Sequence, residues 1–165
     1  MTRFKTNREV FKKPTSEIDE KKESFIQKKY FSWIVENQEK YPQLKTIFHI
    51  PNGIHTANFG MIVHFKQLGL RKGVWDIFIP LYISGHSGLW IEFKRADGKG
   101  KLTSEQVEFK KLILEHTENR PLFVVVNSCE EAIKETVDYL GLDYDYGRER
   151  TENFSPVFKD DKDEE

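Results

Sequence analysis

The sequence predicts one α/β domain in which helices flank a mixed β-sheet. Short apolar runs of strand length alternate along the chain with longer segments whose apolar residues recur at helical spacing. Capping signatures open two of these helices, and 165 residues are a usual size for a single domain. Alternation of this kind is typical of layered α/β architectures.

The N-terminal third is predicted to be mostly helical. Residues 1–15 are polar and basic and are expected to form a flexible arm. A long helix is predicted from about residue 17 to residue 40, and Pro42 ends it. Residues 46–50 are predicted to form a strand, and residues 57–69 a short helix. The apolar positions of the long helix share one face: Ile26, Tyr30, Trp33 and Ile34.

Two apolar strands follow in the middle of the chain. They are predicted at residues 75–79 and 89–94, and the linker between them, rich in Gly and Ser, predicts a hairpin. Residues 95–102 form a loop rich in Gly and Lys. Thr103 and Gln106 have the spacing of a capping box, which predicts a helix to about residue 117.

The last part of the domain is predicted to be a buried strand and a helix. Residues 122–126 are almost wholly apolar, as expected of a strand buried on both faces. The spacing Ser128-x-x-Glu131 is a second capping signature, and a helix should follow to about residue 140. Residues 143–165 have no clear period and end in a run of charges, so they are predicted to be a disordered acidic tail. The folded domain is therefore expected to span residues 16–142.

Composition excludes several classes of protein. No stretch approaches the roughly 20 apolar residues that a membrane helix needs, and no secretory signal is expected because no apolar run follows the first charges. Cys129 is the only cysteine, which excludes an intrachain disulfide and a cysteine-based zinc site. We therefore expect a cytoplasmic location by default.

The net charge of −1 hides a strong asymmetry along the chain. Residues 1–129 carry 21 Lys and Arg against 14 Asp and Glu, a net charge of +7. Residues 130–165 carry 5 against 13, a net charge of −8. A basic body with an acidic end is typical of a phosphate-binding domain with a solvated tail. The alternative is that the acidic end only improves solubility.

Two carboxylates lie inside the apolar strands. Asp76 and Glu92 would be costly to bury as ions unless they are paired or bind a metal. Lys94 is two residues beyond Glu92, so both side chains lie on one face of a strand. Oxygen ligands of this kind favour Mg²⁺ or Mn²⁺ over zinc. In the alternative, Asp76 caps a turn after Gly73 and the Glu92–Lys94 pair lies on a solvated face.

The order of these residues resembles the PD-(D/E)XK nuclease superfamily and, within it, the VRR-NUC domain. The resemblance covers roughly residues 23–140 and implies a restriction-endonuclease-like fold with a central mixed sheet flanked by helices. Trp75 stands where the superfamily often has a proline before the first acid. The segments that carry the resemblance are Phe48-His49-Ile50-Pro51-Asn52-Gly53, Gly73-Val74-Trp75-Asp76, Glu92-Phe93-Lys94 and Thr103-Ser104-Glu105-Gln106.

The resemblance implies a role for each of these positions. Asp76 and Glu92 would ligate Mg²⁺, for which Mn²⁺ should substitute, with the backbone carbonyl of Phe93 as a third oxygen. Lys94 would orient or deprotonate the attacking water and neutralise charge on the phosphate. Gln106 would be catalytic, although capping alone also explains a glutamine there. The products would carry 5′-phosphates.

The resemblance also implies an early helical acid. Glu23 is the best candidate for this catalytic residue, and it would be an additional metal ligand, because residues 23 and 27 extend the apolar stripe of the first helix. Glu17 and Glu20 are its rivals, since acids are favoured near any helix start.

Contacts with DNA are expected from residues that flank the site motifs. Each of these could instead be an ordinary solvated side chain. His49 could approach DNA or be a satisfied core residue. The predicted DNA-binding residues are Lys66, Arg71, Lys72, Arg95, Lys99, Lys101 and Asn52.

The resemblance implies a Mg²⁺-dependent DNA endonuclease. Short stand-alone domains of this branch look like phage or bacterial proteins that dimerise and resolve four-way Holliday junctions, so a C₂ homodimer acting on branched DNA is expected. One alternative is a nick-, flap- or duplex-cutting nuclease of phage replication or packaging. Others are a non-catalytic DNA-binding subunit on the same fold, and a structural or inhibitor protein with a fortuitous ion-pair cluster.

Overall fold

A computed structural model describes residues 22–51 and 59–146 of the chain. The predicted arm at residues 1–15, and the predicted tail beyond residue 146, lie outside these ranges. None of the helices in the described part is long and apolar enough to span a membrane. The elements in chain order are α1 (Glu23–Asn37), a 3₁₀ turn (Pro42–Thr46), β1 (Phe48–His49), α2 (Phe59–Gln67), β2 (Ile77–Ile79), β3 (Leu89–Phe93), α3 (Ser104–Glu115), β4 (Leu122–Val126) and α4 (Cys129–Leu140).

The strands form one mixed sheet in the order β1-β2-β3-β4. The first three strands are antiparallel, and β4 runs parallel to β3 after the crossover through α3. Ile77 pairs with Ile91 and Phe78 with Trp90. This confirms the predicted α/β class, the mixed sheet and the hairpin between β2 and β3.

One face of the sheet is covered by α1 and α4, and the core lies between them. The predicted apolar stripe of α1 is buried. The ring of Tyr30 lies 5.7 Å from that of Phe93, and its hydroxyl lies 2.6 Å from the hydroxyl of Thr136 on α4. A buried polar pair of this kind is satisfied by its partner, so it ties both helices to β3 without leaving an unmet hydrogen bond.

The opposite face carries an aromatic row and is approached by α3. The rings of Phe78 and Trp90 stack at 4.2 Å between centroids, and Phe109 of α3 meets Trp90 at 5.1 Å. The Trp75 indole N–H donates to the backbone carbonyl of Gln106 at 3.2 Å. These contacts hold the start of α3 beside the ends of β2 and β3. The row crosses all four strands through Phe48, Phe78, Trp90 and Phe123.

The elements around β1 differ from the prediction. A strand was expected at residues 46–50, but Pro42–Thr46 forms a 3₁₀ turn and only Phe48–His49 pairs with β2. Pro42 supplies the first position of that turn, where its fixed φ is favourable. The helix expected from residue 17 begins at Glu23 within the described residues and ends three residues before the predicted end.

The burial predicted for β4 is wrong. Leu122 and Val125 are 36% and 42% exposed. The reason is position: β4 lies at the edge of the sheet in the described part of the chain, with β3 as its one neighbour. An apolar run by itself does not tell an edge strand from a central one.

The C-terminal elements follow the prediction with two differences. The Ser128 side chain accepts from the Glu131 N–H at 3.0 Å, but the Glu131 carboxylate accepts from Asn127 and not from Ser128. The second capping box is therefore only half formed. The structure also continues past the predicted domain boundary at residue 142, and the Trp33 indole N–H donates to the Tyr144 hydroxyl at 2.8 Å.

Gly73 packs against the start of α3 with φ of +80°. A Cβ atom at this position would overlap the backbone carbonyl of Glu105. We predict that Gly73→Ala lowers the free energy of unfolding by about 1–3 kcal/mol beyond the backbone strain that any residue with positive φ suffers. Urea unfolding followed by tryptophan fluorescence measures this change.

Gly98→Ala is the matched control. Gly98 has φ of +67°, and a Cβ atom there would meet nothing within 4 Å. The control therefore carries the strain without the overlap. Equal losses of stability in the two variants would contradict the packing role of Gly73.

Candidate active site

Strand register brings the predicted acids together. Asp76 directly precedes Ile77, and the pairing of Ile77 with Ile91 puts Asp76 level with Glu92 on the same sheet face. The Asp76 carboxylate reaches β3, where its Oδ2 accepts from the Phe93 N–H at 3.0 Å. Asp76 therefore does not cap a turn after Gly73 through this oxygen, as the alternative interpretation held.

Glu92 and Lys94 form a buried ion pair. Glu92 is 2% exposed and Lys94 is 6% exposed, although both are charged residue types. The Lys94 Nζ donates to Glu92 Oε1 at 2.7 Å and to Gln106 Oε1 at 3.3 Å. The interpretation of this pair as an ion pair on a solvated face is therefore wrong.

Gln106 serves the helix and the acidic cluster at once. Its N–H donates to the Thr103 hydroxyl at 3.2 Å, while the Thr103 N–H donates to Gln106 Oε1 at 2.9 Å, so the predicted capping box is confirmed. The same side chain donates through Nε2 to Glu92 Oε1. The two interpretations of this residue are thus compatible, because one amide bonds to both the helix start and the carboxylate.

One oxygen of Glu92 is left without a partner. Its Oε2 atom is buried and has no hydrogen bond within the described ranges. A buried carboxylate oxygen in this state costs free energy unless something positive meets it. The neighbouring Asp76 carboxylate offers further hard oxygens, so a small divalent cation fits the position. No three His, Cys, Asp or Glu side chains in the described residues could hold a metal by themselves, so a backbone oxygen or water must complete such a site.

Burial raises the pKa values of both acids, and the charge of a neighbouring acid adds to the effect. Burial is the largest cause for Asp76, and it outweighs the opposing hydrogen bond from the Phe93 N–H. Burial also raises the pKa of Glu92, and the nearby charge of Asp76 raises it further, against the effect of Lys94. Perturbed carboxylates in one cluster are typical of functional sites, because a bound cation would relieve the repulsion.

Glu23 lies near this cluster at the first residue of α1. Its side chain is half-buried, and its charge contributes to the raised pKa of Asp76. Its role as catalytic residue or metal ligand stays a prediction, as does the ligand role of the Phe93 carbonyl. The rival positions Glu17 and Glu20 lie outside the described residues.

His49 is a feature that sequence reasoning did not resolve. It is exposed, so it is not a core residue, and its Nδ1 lies 3.0 Å from the backbone carbonyl oxygen of Asp76. The side-chain amide of Gln27 lies 2.7 Å from the same ring nitrogen. The available signal was the position of Gln27 one helical turn after Glu23, on the face that points to β1.

The predicted DNA-binding residues are mostly exposed. Arg95 is the exception, since it is half-buried and pairs with Asp97 at 3.4 Å. Lys110 was not predicted and lies over the rings of Trp75 and Phe123, at 5.9 and 5.6 Å. Asn52 lies outside the described residues. The exposed members are Lys66, Arg71, Lys72, Lys99 and Lys101.

Comparison with known proteins finds a similar fold among solved structures. No family model matches the chain, and no curated protein matches it. Among solved structures, the chain is similar to one described as a "VRR_NUC domain protein", with 24% identity, a TM-score of 0.57, and coverage of 73% of this chain and 88% of that chain. At this identity the likeness shows a shared fold. The predicted restriction-endonuclease-like architecture and the VRR-NUC resemblance are thereby confirmed at the level of the fold.

The repulsion between Asp76 and Glu92 should lower the stability of the metal-free protein. Asp76→Asn keeps an oxygen for the Phe93 N–H and removes a half-buried charge that is repelled by Glu92, so without metal it should raise the free energy of unfolding by on the order of 1 kcal/mol. Chemical denaturation in EDTA measures this change. Glu118→Gln, at an exposed position, should stay within about 0.5 kcal/mol of wild type. A clear loss of stability in Asp76→Asn would mean that the carboxylate is there for structure.

Proposed function

We propose that this protein is a metal-dependent DNA endonuclease that hydrolyses phosphodiester bonds and leaves 5′-phosphate ends. The observation that carries the proposal is the buried, unpartnered Oε2 of Glu92 beside Asp76. A structural ion pair would need one acid for Lys94, whereas the fold places a second, half-buried acid, Asp76, beside the buried Glu92. The fold shared with a protein described as a VRR_NUC domain protein supports this interpretation.

The proposed cofactor is Mg²⁺, with Mn²⁺ as a substitute. Its ligands would be carboxylate oxygens of Asp76 and Glu92 and the backbone carbonyl of Phe93. Glu23 would join them as a further oxygen donor through a water molecule, because no three acidic side chains of the described residues are grouped to hold a metal directly. These are the hard ligands that both ions prefer, and water would fill the remaining positions. When bound, the ion would lower the pKa of a water molecule and stabilise the charge that develops on the phosphate.

Lys94 and Gln106 would act on the attacking water and the phosphate. Two of the three Nζ–H donors of Lys94 bond to Glu92 and Gln106. The third could meet the water or a non-bridging phosphate oxygen. Gln106 holds both Lys94 and Glu92 through its amide, so it would keep the ammonium aimed while the substrate binds.

DNA would be bound through its phosphates. The exposed basic residues of α2, the segment before Asp76 and the loop after Lys94 flank the candidate site along the chain. Such contacts give affinity without reading bases, and they make binding fall steeply with salt. The residues proposed for this role are Lys66, Arg71, Lys72, Arg95, Lys99, Lys101 and Asn52.

We further propose that the substrate is branched DNA and that the active form is a C₂ homodimer. Each chain offers one candidate site, and paired cuts on two opposed strands of a Holliday junction need two. A nuclease that cuts a nick, a flap or one strand of a duplex would need only one. The choice of substrate is therefore tied to the oligomeric state, and both can be measured together.

Cleavage of labelled junction, flap and duplex DNA tests the proposal. Glu92→Gln and Lys94→Met should each lower the rate about 1,000-fold or more with Mg²⁺ or Mn²⁺, because each removes a group that acts on the reacting phosphate. The matched control is Lys134→Met on α4. Its exposed ion pair with Asp138 lies on the other side of the sheet, so this substitution should leave the cleavage rate unchanged.

Each outcome of this assay separates one alternative. Symmetric paired cuts in the junction, lost in EDTA, support the dimeric resolvase. Metal-dependent cuts confined to other substrates keep the nuclease and discard the resolvase. DNA binding without any cleavage, unchanged in Glu92→Gln, would leave a non-catalytic DNA-binding subunit and overturn the proposal.

Metal binding should also stabilise the fold directly. An ion present at 100 times its Kd adds about 2.7 kcal/mol to the free energy of unfolding, or roughly 5–10 °C in Tm for a domain of this size. Thermal unfolding with and without Mn²⁺ measures this shift. We expect it to vanish in Asp76→Asn, and an equal shift in that variant would place the ion elsewhere.

A further inference from the structure

His49 and Gln27 hold Asp76 from the side opposite to β3. We propose that His49 is a positioning residue, which fixes the backbone at Asp76 so that its carboxylate meets the metal, and that Gln27 orients the His49 ring. The consequence for metal binding rests on the proposed function. The geometry at the Asp76 carbonyl can be tested without it.

The carbonyl of Asp76 is held by two consecutive residues, His49 at the end of β1 and Ile50 directly after it, which are called the β1 segment below. The Ile50 N–H donates to it at 2.8 Å, and His49 Nδ1 lies 3.0 Å from it. Asp76 lies one residue before β2, and the paired part of β1 has only two residues. The backbone hydrogen bonds between β1 and β2 therefore end beside the acid. The His49 side chain adds a second contact to the carbonyl at which they end.

The contact with the Asp76 carbonyl requires a proton on Nδ1 of the His49 ring. A carbonyl oxygen only accepts, so His49 Nδ1 must carry a proton to bond to Asp76. That nitrogen cannot then accept a hydrogen bond from Gln27. The two ends of a side-chain amide are assigned from the hydrogen bonds that they make, so Gln27 must turn its Oε1 towards the ring. Gln27 then shares the Nδ1 proton and limits rotation of the ring away from the Asp76 carbonyl.

The bonds on Asp76 come from two directions. Its carboxylate accepts from the Phe93 N–H on β3, and its carbonyl is held by the β1 segment. Repulsion from Glu92 would otherwise favour movement of Asp76 away from the cluster when no cation is present. Partners of metal ligands commonly change metal affinity 10- to 100-fold, because they fix the ligand before the ion arrives.

His49 is not itself proposed as a ligand. No three His, Cys, Asp or Glu side chains of the described residues are grouped to hold a metal, which would include a set of Glu23, His49 and Asp76. The Nδ1 atom is also used by the Asp76 carbonyl. The effect of His49 should therefore pass through Asp76, and a side chain that supplies the same donor should replace it.

Mn²⁺ affinity, measured by the loss of the free-ion signal in electron paramagnetic resonance, tests the positioning role. His49→Ala should weaken binding about 10-fold. His49→Asn should bind within about threefold of wild type, because its amide nitrogen takes nearly the position of Nδ1. Gln27→Ala should weaken binding less than His49→Ala, and adding it to His49→Ala should change nothing further. Since His49 and Gln27 are not buried, all four variants should unfold at temperatures similar to that of the wild type.

A metal-free measurement keeps this test separate from the proposed function. Long-range ¹H–¹⁵N NMR of the wild-type protein should show a protonated His49 Nδ1. Amide hydrogen exchange at Ile50 should be faster in His49→Ala and restored in His49→Asn.

An unprotonated Nδ1, or wild-type Mn²⁺ affinity in His49→Ala, would overturn the inference. A third outcome is that wild type binds no Mn²⁺ while Nδ1 is protonated and amide exchange at Ile50 changes as expected. In that case the proposed function fails, whereas the positioning of the Asp76 backbone by His49 is retained.

Discussion

The burial of Glu92 with Lys94 is the interaction on which the rest of the site depends. Both residues are almost fully buried, Glu92 on β3 and Lys94 directly after it, and the amide of Gln106 bonds to both. Removing one member of a buried pair typically costs about 3–5 kcal/mol, because the other charge is left unmet. Yet a pair of this kind rarely adds net stability over an apolar one. A second acid, Asp76, makes the arrangement costlier still, so stability alone does not explain this cluster.

The surrounding fold keeps this cluster of charged side chains, which is unfavourable in free energy, in one geometry. The antiparallel pairing of β2 with β3 sets Asp76 level with Glu92, and the aromatic row next to them holds the strands and α3 in place. Gly73 lets the chain pass close to Glu105 at the start of α3, where Gln106 begins its bonds. On the other side, the β1 segment holds the Asp76 carbonyl. Each contact limits the movement of a group that would otherwise be repelled.

Much of this could be predicted from the sequence, because the decisive signals are local. The buried stripe of α1, the capping box at Thr103 and the common face of Glu92 and Lys94 each follow from spacing within a few residues. What failed depends on neighbours in space. The exposure of Val125 reflects its place at a sheet edge, and the role of His49 arises from a bond to a residue 27 positions away, which no period in the sequence encodes.

The central claim is that the unpartnered oxygen of Glu92 faces a divalent cation. An anomalous difference map at the manganese edge, from crystals of the wild-type protein grown with Mn²⁺, tests it most directly. We expect one strong peak in coordination distance of Glu92 Oε2 and of an Asp76 carboxylate oxygen, with Lys94 still bonded to the other oxygen of Glu92. A well-ordered site with no peak at saturating Mn²⁺, or a peak that touches neither acid, would contradict the account.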